Sequence, residues 1–170
     1  MGLTTGDVAL FGILGGLTFA AKVVMMGLPN IEPVSLMVML FGVCFGKKAV
    51  YPIYVYVFLE FILNGIHLWS INYLYVWTVL AVIAVLFRQN RSRWFWSAMA
   101  GIFGLLFGAL CAIPYFFVGG WAAAFSYWVA GIPFDLIHCV SNAVLTFSLL
   151  MPLYDLCIKL QGRPREPITP

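Results

Sequence analysis

Three polar side chains interrupt an apolar stretch near the end of the chain, at Asp135, His138 and Asn142. Their i, i+3, i+7 spacing puts an acid, an imidazole and an amide on one face of a helix. A charge at the centre of a bilayer costs about 2.5–3.5 kcal/mol even on insertion scales, so such residues usually face a cavity and mark a ligand or ion path. We therefore expect these three residues to bind a solute within a membrane, unless Asp135 and His138 only satisfy each other.

A second polar stripe is expected on an earlier helix. Tyr56, Glu60 and Asn64 recur at i, i+4 and i+8 and so share one helical face. Outer loops and their edges supply further candidate ligand contacts, namely Asn30, Glu32, Trp69, Tyr75 and Trp128. Tryptophan and tyrosine also form belts at the two membrane interfaces, so for each aromatic residue both roles stay open.

The composition indicates an integral membrane protein. Of 170 residues, 64% are hydrophobic and 9% are charged, against about 25% charged in an ordinary soluble domain. The net charge of +3 is dispersed and no basic patch is interleaved with aromatics, which argues against nucleic-acid binding. The four cysteines lie in apolar segments without a CxxC pair, so we expect buried thiols and neither a disulfide nor a metal site. No cofactor is predicted.

Apolar runs of spanning length predict an all-α fold with six transmembrane helices. The expected helices cover residues of about 7–27, 33–46, 49–64, 71–87 and 94–118, and a last helix follows a 119–127 connection. That last helix extends toward Lys159, is bent by Pro133 and ends near Pro152. Residues 1–160 are then one membrane domain, and 161–170 form a short mobile tail.

Basic residues set the expected orientation. Eight of the nine fall on the side of the second and fourth loops and the C-terminus, and they are Lys47, Lys48, Arg88, Arg91, Arg93, Lys159, Arg163 and Arg165. The positive-inside bias makes that side, and both termini, cytoplasmic. Lys22 is the exception. Both polar stripes then lie in the outer half of the membrane.

Three segments resemble the substrate-binding S components of the energy-coupling factor (ECF) vitamin transporters. They are residues 28–33 (LPNIEP), 41–48 (FGVCFGKK) and 132–138 (IPFDLIH), in a chain of similar length to that family. The resemblance implies a subunit of the bacterial cell membrane that captures a micronutrient from outside. A transmembrane coupling subunit and two ATPase subunits would be its partners. Riboflavin members carry a Pro-Phe-Asn-Leu-Leu-Lys-like run whose polar residues touch ligand, and this points to Asp135 and His138.

The first helix carries small residues that could admit a partner helix. Gly12, Gly16 and Ala20 recur every four residues and leave a groove where another helix can approach closely. By resemblance, this stripe corresponds to the Ala-xxx-Ala contact that S components make with the coupling subunit. Packing inside the chain's own bundle is the alternative.

Charge in the outer half indicates the ligand class. Glu32, Glu60 and Asp135 stand there against the single base Lys22, so an anionic ligand would meet like charge in a low dielectric. Aromatic rings offer stacking faces, and carboxylates accept from N–H groups or pair with a cation. We expect a neutral or cationic nitrogen heteroaromatic, either a 7-deazapurine of the queuosine-precursor type or a thiamin- or pyridoxine-like compound.

An intramembrane enzyme and a small channel are the alternatives. His67, His138, Glu60 and Asp135 could act as acid and base or hold a metal. The sequence contains no HExxH or GxSxG motif, which favours a binding protein over a hydrolase. It contains no P-loop either, so any ATP hydrolysis is expected from partner subunits.

Overall fold

The computed structural model describes residues 2–28 and 31–162, and the regular secondary structure in this part of the chain is entirely helical. The all-α prediction is therefore confirmed. The helices are α1 (Thr5–Val24), α2 (Val34–Phe45), a 3₁₀ turn (Gly46–Ala49), α3 (Val50–Asn64), α4 (Leu68–Ile71), α5 (Tyr73–Leu86), α6 (Arg93–Cys111) and α7 (Ile113–Leu160). Asn30 and the last eight residues, which include most of the predicted tail, lie outside the described residues.

Within the described residues, five segments are long and apolar enough to cross a membrane. They are Thr5–Val24, Val34–Asn64, Leu68–Leu86, Arg93–Cys111 and Ile113–Leu160. A helix needs about 20 apolar residues to span the hydrocarbon core. The chain is thus a helical protein suited to a multi-pass membrane location.

Two ion pairs show that α1 and α3 run in the same direction. Lys48 Nζ lies 2.9 Å from Asp7 Oδ2 where both helices begin, and Lys22 Nζ lies 2.9 Å from Glu60 Oε1 near where both end. Asp7 also closes a capping box with Thr4, which satisfies backbone donors at the start of α1.

The Val34–Asn64 segment doubles back on itself at Gly46. The ring of Phe45, at the end of α2, lies 5.3 Å from that of Phe11 in the first half of α1. Because α2 finishes where α1 and α3 start, it runs opposite to both. Gly46 has a φ of 58°, a left-handed conformation that glycine adopts without steric cost.

Three glycines bring α6 into close contact with α7. A Cβ at Gly104 would lie 2.7 Å from the carbonyl carbon of His138, and one at Gly101 would lie 3.4 Å from the carbonyl oxygen of Cys139. Glycine at these positions and at Gly108 therefore lets the two backbones approach closely. This contact holds the polar face of α7 against α6.

The boundaries of the last two helices differ from the prediction. The fifth predicted helix was expected to reach residue 118, but α6 ends at Cys111 and a new helix starts at Ile113. Within α7 only Gly119 and Gly120 leave helical geometry, Gly120 with a φ of 69°. Residues 121–127 of the expected connection are therefore helical, because the alanine run has high helix propensity.

The last helix extends to the expected neighbourhood of Lys159, whereas the expected end near Pro152 was wrong. Helix α7 contains Pro133 and Pro152 and continues to Leu160. Proline removes one backbone donor, but membrane helices tolerate it where neighbouring groups compensate.

Candidate functional site

The polar stripe of α7 faces the interior of the bundle. Asp135, His138 and Asn142 are all buried, and Thr146 extends the stripe by one further turn and is buried as well. Val140, on the opposite face of the same turns, is 64% exposed. The helix therefore turns its polar side inward and its apolar side outward, as expected of a membrane helix that lines a site.

Asp135 lies against the backbone of α6. Its Oδ1 accepts a hydrogen bond of 2.9 Å from the amide of Gly108. A Cβ at Gly108 would come within 2.9 Å of the Asp135 Cγ, so any larger residue would displace the carboxylate. Glycine at this position therefore allows the acid to reach the helix backbone.

The start of α2 supplies the partners of the next two stripe residues. The Nε2 of His138 is 3.9 Å from Glu32 Oε1, and Asn142 Nδ2 donates to Ser35 Oγ at 3.2 Å. Glu32 and Ser35 are three residues apart, which places both near α7. Asp135 and His138 thus have different partners.

Each residue of the α7 stripe also has a buried polar atom without a hydrogen-bond partner. These atoms are Asp135 Oδ2, His138 Nδ1, Asn142 Oδ1 and Thr146 Oγ1, and three more lie on neighbouring helices, Tyr56 OH, Asn72 Nδ2 and Trp77 Nε1. Most buried polar groups in native proteins are bonded, and each unmet one costs about 1–3 kcal/mol. A polar ligand would supply partners for this set of donors and acceptors.

A second polar cluster forms where α1 and α3 end. Glu60 is fully buried, and its Oε1 pairs with Lys22 Nζ, which is also 3.2 Å from Tyr73 OH. Its Oε2 accepts from Asn64 Nδ2 at 2.9 Å. Both oxygens of this buried carboxylate are therefore satisfied, which a buried charge requires.

Three aromatic rings surround the ammonium group of Lys22. Its Nζ lies 5.0 Å from the ring centre of Tyr73, 5.8 Å from that of Trp69 and 6.0 Å from that of Tyr56. These distances fall within the roughly 6 Å range of cation–π attraction. We call Tyr56, Glu60, Trp69 and Tyr73 together the cation box.

Glu32 lies between the α7 stripe and the cation box. Burial raises the pKa of its carboxyl group, attraction by Lys22 opposes this shift, and repulsion by Glu60 adds to it. Glu32 is also the acid nearest His138. The two clusters are thus close enough for their charges to interact and form one polar region.

The remaining candidates are not all in this region. The hydroxyl of Tyr75 is within hydrogen-bonding distance of Asn72 Oδ1 and the Leu110 carbonyl, so it bridges α5 and α6. Trp128 is 38% exposed and lines an outward apolar groove with Trp121, and the lining of that groove includes no residue of the stripe. Asn30 lies outside the described residues.

The small-residue stripe of α1 faces away from the bundle. A Cβ at Gly12 or Gly16 would meet no atom within 4 Å, and Ala20 is exposed. Gly15 instead faces α3, where a Cβ would lie 2.6 Å from Val55 side-chain atoms. The internal seam of α1 therefore passes through Gly15, and the stripe is free for an external contact.

Sequence reasoning missed several residues of the polar region. Thr146 follows from continuing the α7 spacing to i+11, and Ser35 lies one turn beyond Glu32. Lys22 was noted only for its charge, although it continues the buried face of Phe11 and Thr18. Nothing in the sequence pairs Lys22 with Glu60, because they are 38 residues apart.

The histidines and acids of this region are the residue types that hold metal ions in proteins. Among residues 2–28 and 31–162, no group of three or more His, Cys, Asp or Glu side chains is arranged to hold a metal ion. No family model, curated protein or solved structure matches this chain.

Proposed function

We propose that this protein is the substrate-binding S component of an ECF-type importer, which captures a micronutrient from the outer side of the bacterial cell membrane. The main support for this proposal is the α7 stripe. Each of its four residues has one buried polar atom without a hydrogen-bond partner, namely Asp135, His138, Asn142 and Thr146. A ligand with several donors and acceptors would satisfy atoms that are costly to leave unbonded.

The resemblance of three sequence segments to S components supports the same assignment. In this proposal the chain crosses the membrane six times, with α2 and α3 as separate crossings and both termini in the cytoplasm. The reversal at Gly46 is compatible with that count. A coupling subunit and two ATPases would drive transport, and the outward stripe of Gly12, Gly16 and Ala20 would contact the coupling subunit.

Charge in the polar region favours a neutral or cationic nitrogen heteroaromatic as ligand. Lys22 neutralises Glu60, while Asp135 keeps one oxygen unpaired and Glu32 has only a distant contact with His138. These oxygens accept from N–H groups and repel anions. A 7-deazapurine and a thiamin- or pyridoxine-like compound both meet these requirements.

Equilibrium binding by the detergent-purified chain tests the proposal. We expect stoichiometric capture of one of these compounds, with the compound recovered unchanged and without any partner subunit. Conversion of the compound would favour an intramembrane enzyme. Failure of the folded chain to bind either class would contradict the proposed ligand.

A further inference from the structure

Lys22 lies on the inward face of α1, in the last turn of the helix. This face carries Phe11, Gly15 and Thr18, all buried, and Lys22 continues it one turn later. Its side chain is 16% exposed, whereas that of Glu60 is completely buried. The acid is thus fixed in the interior, and the base reaches it from the edge of the solvent-accessible region.

The cation box has the chemistry of a general site for organic cations. A carboxylate provides charge, and three aromatic rings at 5.0–6.0 Å provide their negative faces. Such aromatic boxes bind quaternary and other nitrogen cations in many proteins. Nothing in this arrangement requires that the cation belong to the protein itself.

Lysine is well suited to occupy such a box reversibly. Its ammonium is a compact charge on a flexible four-carbon stem, so it can move toward water without a change in the backbone. Glu60 would be left as an unpaired buried charge unless another cation took its place, and that state is strongly unfavourable. Departure of Lys22 should therefore be coupled to arrival of a second cation.

We propose that the cation box is the subsite for a positively charged nitrogen group of the ligand, and that Lys22 is a tethered occupant which the ligand displaces. This inference rests on the proposed function and narrows its ligand class to cations. The exchange keeps the charge balanced, because one cation enters as the ammonium of Lys22 leaves for water. A neutral compound cannot make the exchange, so the box selects for charge.

Substitution of Lys22 provides the first test. The probes are 1-methylnicotinamide, a permanent pyridinium cation, and nicotinamide, its neutral counterpart. Suppose that the box is free of Lys22 in about a tenth of the molecules. Removing Lys22 should then lower the apparent dissociation constant of the cation about tenfold. Lys22→Met should show this gain by titration calorimetry for 1-methylnicotinamide alone. Lys22→Arg keeps a cation in the box and should resemble the wild type.

Two results would overturn the proposal. One is a folded Lys22→Met protein that binds the cation no more tightly than the wild type, or not at all. The other is an equal gain for nicotinamide, which would indicate a nonspecific opening of the site.

Chemical labelling of the unsubstituted protein provides a second test that does not depend on a variant folding. Reductive methylation of Lys22, followed by mass spectrometry, should accelerate several-fold when 1-methylnicotinamide saturates the protein, because displacement exposes the amine. Lys48 is a matched control, since it pairs with Asp7 at 2.9 Å but lies outside the box. An unchanged or slower rate at Lys22 would contradict displacement.

The outcomes separate this inference from the transporter proposal. Suppose that a micronutrient binds the wild type and Lys22→Met with equal affinity. The transporter proposal would then stand, but Lys22 would not be an occupant that the ligand displaces. Selective cation binding by Lys22→Met would support the cation box even where no transport partner is found.

Discussion

At Asp135 the two carboxylate oxygens have different surroundings. One accepts from the Gly108 amide, and the other is buried without a partner. The first contact fixes the side chain, and in the proposed function the second oxygen accepts a hydrogen bond from the ligand. The site thus combines a positioned acid with an unmet acceptor, a combination that purely structural residues seldom retain.

Asp135→Asn separates these two roles. The amide oxygen can still accept from Gly108, so the variant should melt close to the wild type. Ligand affinity should fall about tenfold to a hundredfold, because a hydrogen bond to a charged group contributes about 1.5–3 kcal/mol. Binding and thermal unfolding should be measured on the same preparation. Unchanged affinity in a normally folded variant would remove Asp135 from the ligand site.

Glu32 makes the stability of the ligand-free protein depend on pH. Its pKa is raised above the ordinary value of 4.5, mainly by burial, so the folded chain binds this proton more tightly than the unfolded chain. The stabilising contribution is complete below that ordinary value and is lost as pH rises through the raised folded pKa. Glu32→Gln should therefore melt higher than the wild type near neutral pH.

Melting curves between about pH 4 and 8 check this sign. The advantage of Glu32→Gln should shrink toward the acidic end, where the wild-type carboxyl group is protonated in both states. Parallel profiles for the two proteins would contradict a raised pKa at Glu32.

Two adjacent glycines of α1 lie on different faces of the helix. Gly15 packs against α3, whereas Gly16 faces outward. Gly15→Leu should destabilise the bundle by about 1–3 kcal/mol, because a Cβ at this position would lie 2.6 Å from Val55 and 2.7 Å from the Pro52 carbonyl oxygen. Gly16→Leu points into open space and should leave stability and ligand binding near wild-type values. Transport through a coupling module should fall for Gly16→Leu, since bulk on that stripe blocks close helix approach.

Thermal unfolding, ligand binding and uptake measured on both variants give a matched comparison. A Gly16→Leu protein that still assembles and transports normally would show that this face does not contact the coupling subunit. Loss of stability in that variant would contradict the outward placement of the stripe.

The contact between α6 and α7 leaves no room for an added methyl group at Gly104. Gly104→Ala would place a Cβ 2.7 Å from the His138 carbonyl, and a backbone neighbour cannot move aside cheaply. We expect a loss of about 1–3 kcal/mol together with weaker ligand binding. Gly131→Ala, where a Cβ meets nothing within 4 Å, is the control. Equal melting temperatures for the two variants would contradict close packing at Gly104.

Helices and their faces could be predicted from the sequence where a local pattern has only one structural interpretation. Apolar runs indicated helices suited to a membrane, and the spacing of Asp135, His138 and Asn142 predicted their common face. Helix ends were less accurate, because an alanine run and a proline within a packed helix do not show locally whether the helix continues. The break after Cys111 has a local cause in Pro114, which stands at the start of α7, whereas no local pattern shows that α7 continues past Pro152.

At the scale of the whole molecule, the candidate site depends on contacts between distant parts of the chain. Lys22 reaches Glu60, Asn142 reaches Ser35, and Gly108 reaches Asp135. None of these pairs has a short sequence signature, so the spacing of polar residues suggested a polar cavity but could not identify which residues pair across it. Trp128 illustrates the same limit, since nothing in the sequence shows that it lines a groove with Trp121.

In the proposed function, this chain alone captures a nitrogen-heteroaromatic solute at the α7 stripe. Native mass spectrometry of the protein purified from rich medium tests it most directly, with Asp135→Asn prepared in parallel. We expect one bound compound per wild-type chain, with the mass of a nitrogen heteroaromatic, and its loss from the folded variant. A wild-type chain that carries no such compound and acquires none on incubation with the candidate solutes, or equal occupancy in the variant, would contradict the account.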